Sequence, residues 1–534
     1  MVVGFDRLKF FVSSFLAFAS FCCHATDYYW KAQVWPGQTD PGPLPSAEAA
    51  CQASYANFVA NNKNITAYVE LTRPYKPPYP DPAYAPNNEA HFMCELVGYS
   101  QGSSTNNAGG PYPIPRYGDG CPAGDVYNVA LGQCENATDF LPRKQLGLPR
   151  DPLGGPTTCE GNPVNSATGN KFEDEADYVG PGAFPLRFTR YYNGETGLWS
   201  TSYSAHVDAG ALGAALTFSD GRQSVFSSIS GALKPEATEL GSLSKLASGW
   251  LYISLNNEQL SFDTRGRLVK WTSAEGLSQT VAYGAMDSTG NTATTISDAS
   301  GNSLTYSVDN FGRLIKLSAG NLLVTYQYEW SAHLISVTYT WPGKSVVRKY
   351  LYEDGTNASW LTGIIDERGV RYATWHYDAQ GRAISSEHAN GAEKVMLTYN
   401  DDGSTTVTNA LGHVVTYRYQ VIQGIKHITS IEGEPAAGCP ASNSSYTYNT
   451  IGQIATKTDA LGHITAYTYD TLGRETQRVE AQGTAQARTT TTTWHGTSFL
   501  PETVTTADRV TTYTYDTQNR LLSTGTHAAQ GSVP

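Results

Sequence analysis

The sequence predicts a mainly β protein: a long antiparallel sheet of hairpin repeats, preceded by a small disulfide-bearing α+β domain. Three observations predict it. Only 16% of the 534 residues are charged, below the roughly 25% of ordinary soluble chains, while 34 are Tyr and 51 are Gly. That balance favours aromatic-rich strands joined by tight turns. A turn of the form Asp-x-x-Gly-Arg recurs in phase along the C-terminal half, and no helical periodicity interrupts it. The net charge of −12 and the lack of any basic run argue against a nucleic-acid partner.

The elements follow in order. Residues 1–25 read as a signal peptide, with Arg7 and Lys9 ahead of the apolar "FFVSSFLAFASFC" and small residues before a cleavage point after Ala25. The expectation is export to the periplasm, the cell surface or the medium. No later apolar run reaches the ~20 residues of a transmembrane helix, so no span is expected. Six cysteines remain beyond the signal, at 51, 94, 121, 134, 159 and 439, an even set that suits disulfides in an exported chain. Cys51 with Cys94 and Cys121 with Cys134 are the candidate pairs, and Cys159 with Cys439 is the remainder.

Residues 26–100 are expected to form the α+β unit. "PSAEAACQASYANFVANN" reads as a helix with Ser46 as its N-cap, and "TAYVELTR" and "AHFMCELVGYS" read as strands. Six prolines in "RPYKPPYPDPAYAP" exclude regular structure between them. Residues 101–160 are a Gly- and Pro-rich linker holding the Cys121–Cys134 loop. Residues 161–250 are a β domain, and 251–534 are the repeats.

The repeats carry the clearest signal. The glycine of a Gly-Arg pair falls at 266, 312, 381 and 473, and Asn519 occupies the same place in "YDTQNRL". The separations of 46, 69, 92 and 46 residues are all multiples of 23, the mark of a repeat architecture. In each unit an Asp opens a type I turn and a Gly takes the φ > 0 position that closes the hairpin. Asp309 with Gly312, Asp378 with Gly381, and Asp470 with Gly473 serve one end of the strands. "DASG", "DERG", "NALG" and "DALG", the last with Asp459 and Gly462, close the other. The two tyrosines of "YTYD" lie two apart and share one strand face.

This pattern resembles the RHS, or YD-repeat, family, whose loose consensus is Y-x-Y-D-x-x-G-R-L. The stretch "NPVNSATGNKFEDEADYVGPGAFPLRFTRYYNG" also looks like the domain of unknown function that precedes RHS repeats. The resemblance implies a sheet that spirals into a partial shell, as in secreted bacterial polymorphic-toxin proteins. It implies further that a toxin lies beyond a C-terminal boundary motif. The sequence ends in "GTHAAQGSVP", straight after a repeat, and "RDPLGG" at 150–155 reads as a linker turn. The expectation is therefore a shell-type scaffold without its own toxin, with the remaining shell or toxin part on a second polypeptide. The alternative is a cell-surface binding module or adhesin for carbohydrate.

No residue is expected to be catalytic. The recurring Asp residues are explained by turn capping, and none has calcium-loop spacing. The histidines form no metal motif, and neither a nucleophile elbow nor a phosphate loop occurs. No cofactor or metal is expected, and the tryptophans are expected to fill the core rather than bind sugar.

Overall fold

A computed structural model describes residues 29–34, 36–61, 70–71, 92–99, 106–114, 116–117, 125–128, 133–136 and 144–529, less 211–212, 230–231, 310–311, 330–332, 358 and 437–438. The expected signal segment, Cys121 and Trp330 lie outside the described residues. None of the described helices is long and apolar enough to cross a membrane.

The N-terminal unit is organised by one helix, Ala47–Asn61. Ser46 caps it, its hydroxyl accepting the Ala49 N–H at 3.0 Å. One turn in, Cys51 is disulfide-bonded to Cys94 on the strand Phe92–Tyr99. Trp30, Ala50 and Phe58 pack around that bridge. Cys134 is also disulfide-bonded. Cys159 is a free thiol, which corrects the expected pairing with Cys439. Its neighbour Glu160 is tied to Tyr417 on the strand Val414–Ile422, whereas Cys439 opens a strand two places farther along the sheet. Two strand spacings, about 10 Å, exceed the ~7 Å Cα reach of a disulfide.

The repeats form one sheet of 26 strands in sequence order, each antiparallel to the next, from Ser242–Leu246 to Leu521–Ala528. Each strand with its turn takes about 11 residues, half of the 23-residue period. Because direction alternates, the turns fall on two rims. The Tyr-Asp rim holds the tips 263–267, 309–313, 378–382, 449–453, 470–474 and 516–520. The opposite rim holds 254–258, 273–277, 298–302, 366–370, 409–413 and 459–463.

Residues 144–235 form an inner domain seated on one face of this sheet. Its strands include Phe172–Val179, Arg187–Asn193 and Leu198–Thr201 in one small sheet, and four strands from His206–Gly210 to Ala232–Pro235 in another. Phe188, Tyr192, Tyr203 and Phe226 share a continuous core with Tyr306, Leu317, Val337 and Trp375 of the repeats. That core ends at Val407. Farther along the buried side chains are fewer: a small cluster of Ile428, Ile431 and Tyr446, with Ile425, His427, Ser444 and Gln453, and the last strand is exposed along its whole length.

The sheet curls until its later tips touch its beginning. The Asn257 side-chain amide donates to the Asn519 carbonyl at 3.2 Å. Arg520 lies so close to Gly276 that a Cβ there would meet its side chain at 2.9 Å, and Leu240 packs likewise on Gly473. In every case a Tyr-Asp tip rests on the opposite rim about 20–23 strands earlier. At ~4.8 Å per strand one circuit is on the order of 100 Å. The right-handed twist of strands supplies the curvature.

Candidate functional site: the Tyr-Asp rim and the seat of the inner domain

The tip at 470–474 shows what each consensus residue does. The Gly473 N–H donates to the Asp470 carbonyl, and the Asp470 N–H to the Arg474 carbonyl, each at 3.0 Å. One Asp470 carboxylate oxygen accepts the N–H groups of Leu472 (2.9 Å) and Arg474 (3.0 Å). The other accepts the Arg474 Nε–H at 2.7 Å. Burial works against ionisation here, yet Arg474 and these N–H groups hold the carboxyl below its usual range. Gly473 has φ +80°, and Asn519 stands at +61° in the equivalent place, the left-handed region that Asn tolerates best after Gly.

The full set recurs at Asp378 with Gly381, and at Asp309 with Gly312 the backbone turn bonds and the Arg313 bonds recur; Arg313 and Arg382 donate Nε–H at 2.7 Å. On the opposite rim Asp459 and Gly462 form the same turn, with His463 Nδ1 in the place of Arg at 2.9 Å. The His463 side chain is the main reason the Asp459 carboxyl is lowered.

Neighbouring tips are linked through tyrosine. The Tyr just before the turn donates its hydroxyl to the carbonyl just after the preceding Gly-x pair. Tyr399 reaches Ala383 at 2.6 Å, and Tyr469 reaches Ile454 at 2.8 Å. Tyr283, four residues ahead of the turn at Asp287, makes the equivalent bond to Leu268 at 2.9 Å. Where "TTWHG" replaces the Tyr, Trp494 Nε1–H donates to the Glu475 carbonyl at 2.9 Å. The arginine of the earlier tip lies over the later ring: Arg382 over Tyr399 at 4.2 Å and Arg267 over Tyr283 at 4.3 Å. Tips are thus coupled by a hydrogen bond and, where the earlier tip carries Arg, by a cation–π contact, worth about 1 kcal/mol apiece.

The seat of the inner domain is built on charges. The strand Phe172–Val179 turns Glu173, Glu175 and Asp177 to one face, and that face is buried. Asp177 accepts Arg190 Nε–H (2.7 Å) and Nη2–H (2.9 Å). It also accepts the hydroxyls of Tyr326 (2.7 Å) and Tyr339 (2.6 Å) from the repeats. Arg190 donates onward to the Tyr350 hydroxyl at 2.8 Å and lies over Trp199. Burial pushes the Glu175 carboxyl up to about 7 despite Arg190 and Arg348, the latter paired with it at 2.9 Å. Glu173 pairs with Lys171 at 2.6 Å, and Lys171 lies over Trp375.

A cleft of about 810 Å³ opens between residues 144–155, the inner domain and the first repeat strands. Lys144 and Glu239 line it, and behind the wall Lys144 also meets Ser224 and Glu236, at 2.8 Å to Glu239, 2.6 Å to Ser224 and 2.9 Å to Glu236. Burial raises Glu236 to about 7. The "RDPLGG" segment turns here, with Asp151 buried against His427 Nδ1 at 2.6 Å.

Sequence reasoning found the turn residues and missed the seat. Trp250, Trp360 and Trp375 are buried in the core, while Trp341 is 37% exposed. Among the described residues no group of three or more His, Cys, Asp or Glu side chains is placed to hold a metal. The rim carboxylates are committed to their own turns.

The geometry defines a class, a curled wall of tyrosine-linked hairpins closed around an inner domain. Two family models match it: the domain of unknown function DUF6531 over residues 161–226 and the RHS Repeat over 448–485. The chain therefore carries a DUF6531 domain followed by RHS/YD repeats. We found no match among curated protein sequences. Among solved structures it is similar to a Photorhabdus luminescens Tc holotoxin pore, at 11% identity and TM-score 0.39, over 91% of this chain and 26% of that one. A TcdB2-TccC3-TEV crystal structure is similar at 10% identity and TM-score 0.29, over 90% of this chain and 23% of that one. The chain therefore spans about a quarter of the length of these structures.

Proposed function

We propose that the protein is an exported, non-catalytic wall of a toxin-type shell, a scaffold whose curled sheet encloses space for another polypeptide. One observation carries this reading: the tip at 516–520 rests on the tips at 254–258 and 273–277, so the sheet bounds an interior instead of lying open. The committed rim carboxylates favour a structural role over chemistry. The core shared with the inner domain ends at Val407, and residues 144–167 reach the sheet farther along at Tyr417, Tyr419 and His427, so room for a guest lies beyond these contacts.

Accessibility tests it. Thr492 shares the inner face with Trp494, and Thr493 faces outward. Cysteines placed singly at 492 and 493 are expected to react equally with a small maleimide. A polymer-linked maleimide is expected to label 493 at least tenfold faster. Equal polymer labelling at both positions would sink the enclosing-wall reading.

A further inference from the structure

We propose that the cleft between residues 144–155, the inner domain and the first repeat strands is a binding site for a short neutral or amino-substituted saccharide. The inference goes beyond the wall reading, because the cleft would hold its ligand whether or not the sheet encloses a guest.

Its size and walls suit a small molecule. Its volume of about 810 Å³ falls within the ~300–1,000 Å³ of small-molecule sites. Tyr191, Phe218 and Trp271 line it and are each half-buried, so part of each ring stays open to the cleft. Such rings pack against the C–H face of a sugar. Both sides are held before any ligand arrives. On one, Gly147 N–H donates to Asn193 Oδ1 at 2.8 Å, and Asp151 is fixed on His427. On the other, the tip 254–258 is tied through Asn257 to the Asn519 carbonyl. A preformed site loses little affinity to ordering itself.

The polar groups divide into two sets. Lys144 and Glu239 pair with each other, and Arg222 is held by Asp220 at 2.7 Å. Arg150, Asp174, Asn256 and Glu258 also line the cleft, and among the described residues their side chains make no hydrogen bond or ion pair. They supply a donor, two acceptors and an amide that does both. A sugar hydroxyl donates and accepts at once and so uses this mixture, whereas an apolar ligand would leave all four groups without partners.

Charge and backbone narrow the occupant. Three cationic and five carboxylate side chains line the cleft, a balance that disfavours an anion and accommodates an amine. A polypeptide is disfavoured as well. Of the five strands that contribute to the wall, four are paired on both sides: Arg187–Asn193, Gly249–Ile253, Gln259–Phe262 and Leu268–Thr272. They offer no open edge to which an extended peptide can add.

Isothermal titration of the full chain tests the site with maltotetraose, cellotetraose and the glucosamine tetramer, and with tetragalacturonate as the anionic counterpart. At millimolar concentration the wild type is expected to give saturable heat with at least one of the first three and none with tetragalacturonate. The double substitution Arg150→Ala with Asn256→Ala is expected to weaken that binding at least tenfold. Leu411→Asn, on an exposed turn that does not line the cleft, is expected to leave it unchanged. Arg150 and Asn256 are exposed, so melting of both variants should match wild type. Four results overturn the proposal: no saturable heat with any of the first three, tighter binding of tetragalacturonate than of all of them, unchanged affinity in the double variant, or binding of a reduced and carboxymethylated unfolded protein that the double substitution abolishes. The last would make the occupant a polypeptide.

Discussion

Two stretches of one sheet, residues 242–407 and 409–529, use the same turn chemistry and differ in what lies against their inner face. In the first, Val324, Leu317, Tyr306 and Trp375 are 0–1% exposed beneath the inner domain. In the second, burial of that depth is confined, among the described residues, to Ile425, His427 and Ile428, and the last strand is open to solvent throughout. Yet Tyr377, in the first, bonds the Leu361 carbonyl at 2.6 Å, and Tyr515, in the second, bonds the Pro501 carbonyl at 2.8 Å. Hairpin geometry is therefore a local property of each 23-residue unit, while burial is delivered from outside the repeat. The first stretch is expected to open only with the whole molecule, the second by local fluctuation.

The largest break in this contrast should come from Arg190→Met. It leaves Asp177 buried with tyrosines but no cation, a loss of about 3–5 kcal/mol. Hydrogen exchange should show protection collapsing in Leu322–Leu351 while Arg509–Tyr515 exchanges as before. Uniform acceleration across both stretches would refute the division.

Acidity gives the next effect. Glu175 sits at about 7 in the folded protein against an ordinary 4.5. Its protonated form is favoured by folding. The contribution is full below about pH 4.5 and is lost as pH rises through 7, amounting to about 1–3 kcal/mol. Melting monitored in the first stretch should fall between pH 5 and 8, and Glu175→Gln should flatten that fall. Glu236, also near 7, leaves a residual slope. A fall of the same steepness in Glu175→Gln would remove Glu175 as the cause.

Gly473→Ala should cost about 1–2 kcal/mol, because alanine resists the left-handed region and its methyl meets Leu240. The loss should stay within the second stretch and be visible as faster exchange of Ile464–Glu480. Smallest is the removal of one hydroxyl. Tyr377→Phe strands a buried carbonyl and should cost about 1–2 kcal/mol, whereas Tyr515→Phe, whose carbonyl can turn to water, should cost under ~0.5 kcal/mol. Equal costs in urea melts would mean that burial does not separate the two stretches.

The tips were legible in the sequence because everything that shapes them lies within five residues. Asp470, Gly473 and Arg474 satisfy one another, and Asn519 obeys the same rule as glycine. The linkage of Tyr469 to Ile454 was not legible, since it spans 15 residues and depends on strand register. The seat was hidden for a sharper reason. "FEDEADYV" alternates as a half-exposed strand does, but Glu173, Glu175 and Asp177 are its inner residues. The cations and hydroxyls that make this tolerable, Arg190, Tyr326, Tyr339 and Arg348, are brought in from up to 173 residues away. Curling was equally silent, because no single unit encodes a circuit.

The bond between Asn257 and Asn519 also fixes a pitch. Each revolution advances the wall by roughly one strand, ~20–25 Å, and consumes on the order of 250 residues. If the wall encloses a chamber as proposed, that chamber lengthens in proportion to the number of hairpins while its bore stays constant. Capacity becomes a quantity counted in repeats: duplicating units enlarges the room without altering any contact already made.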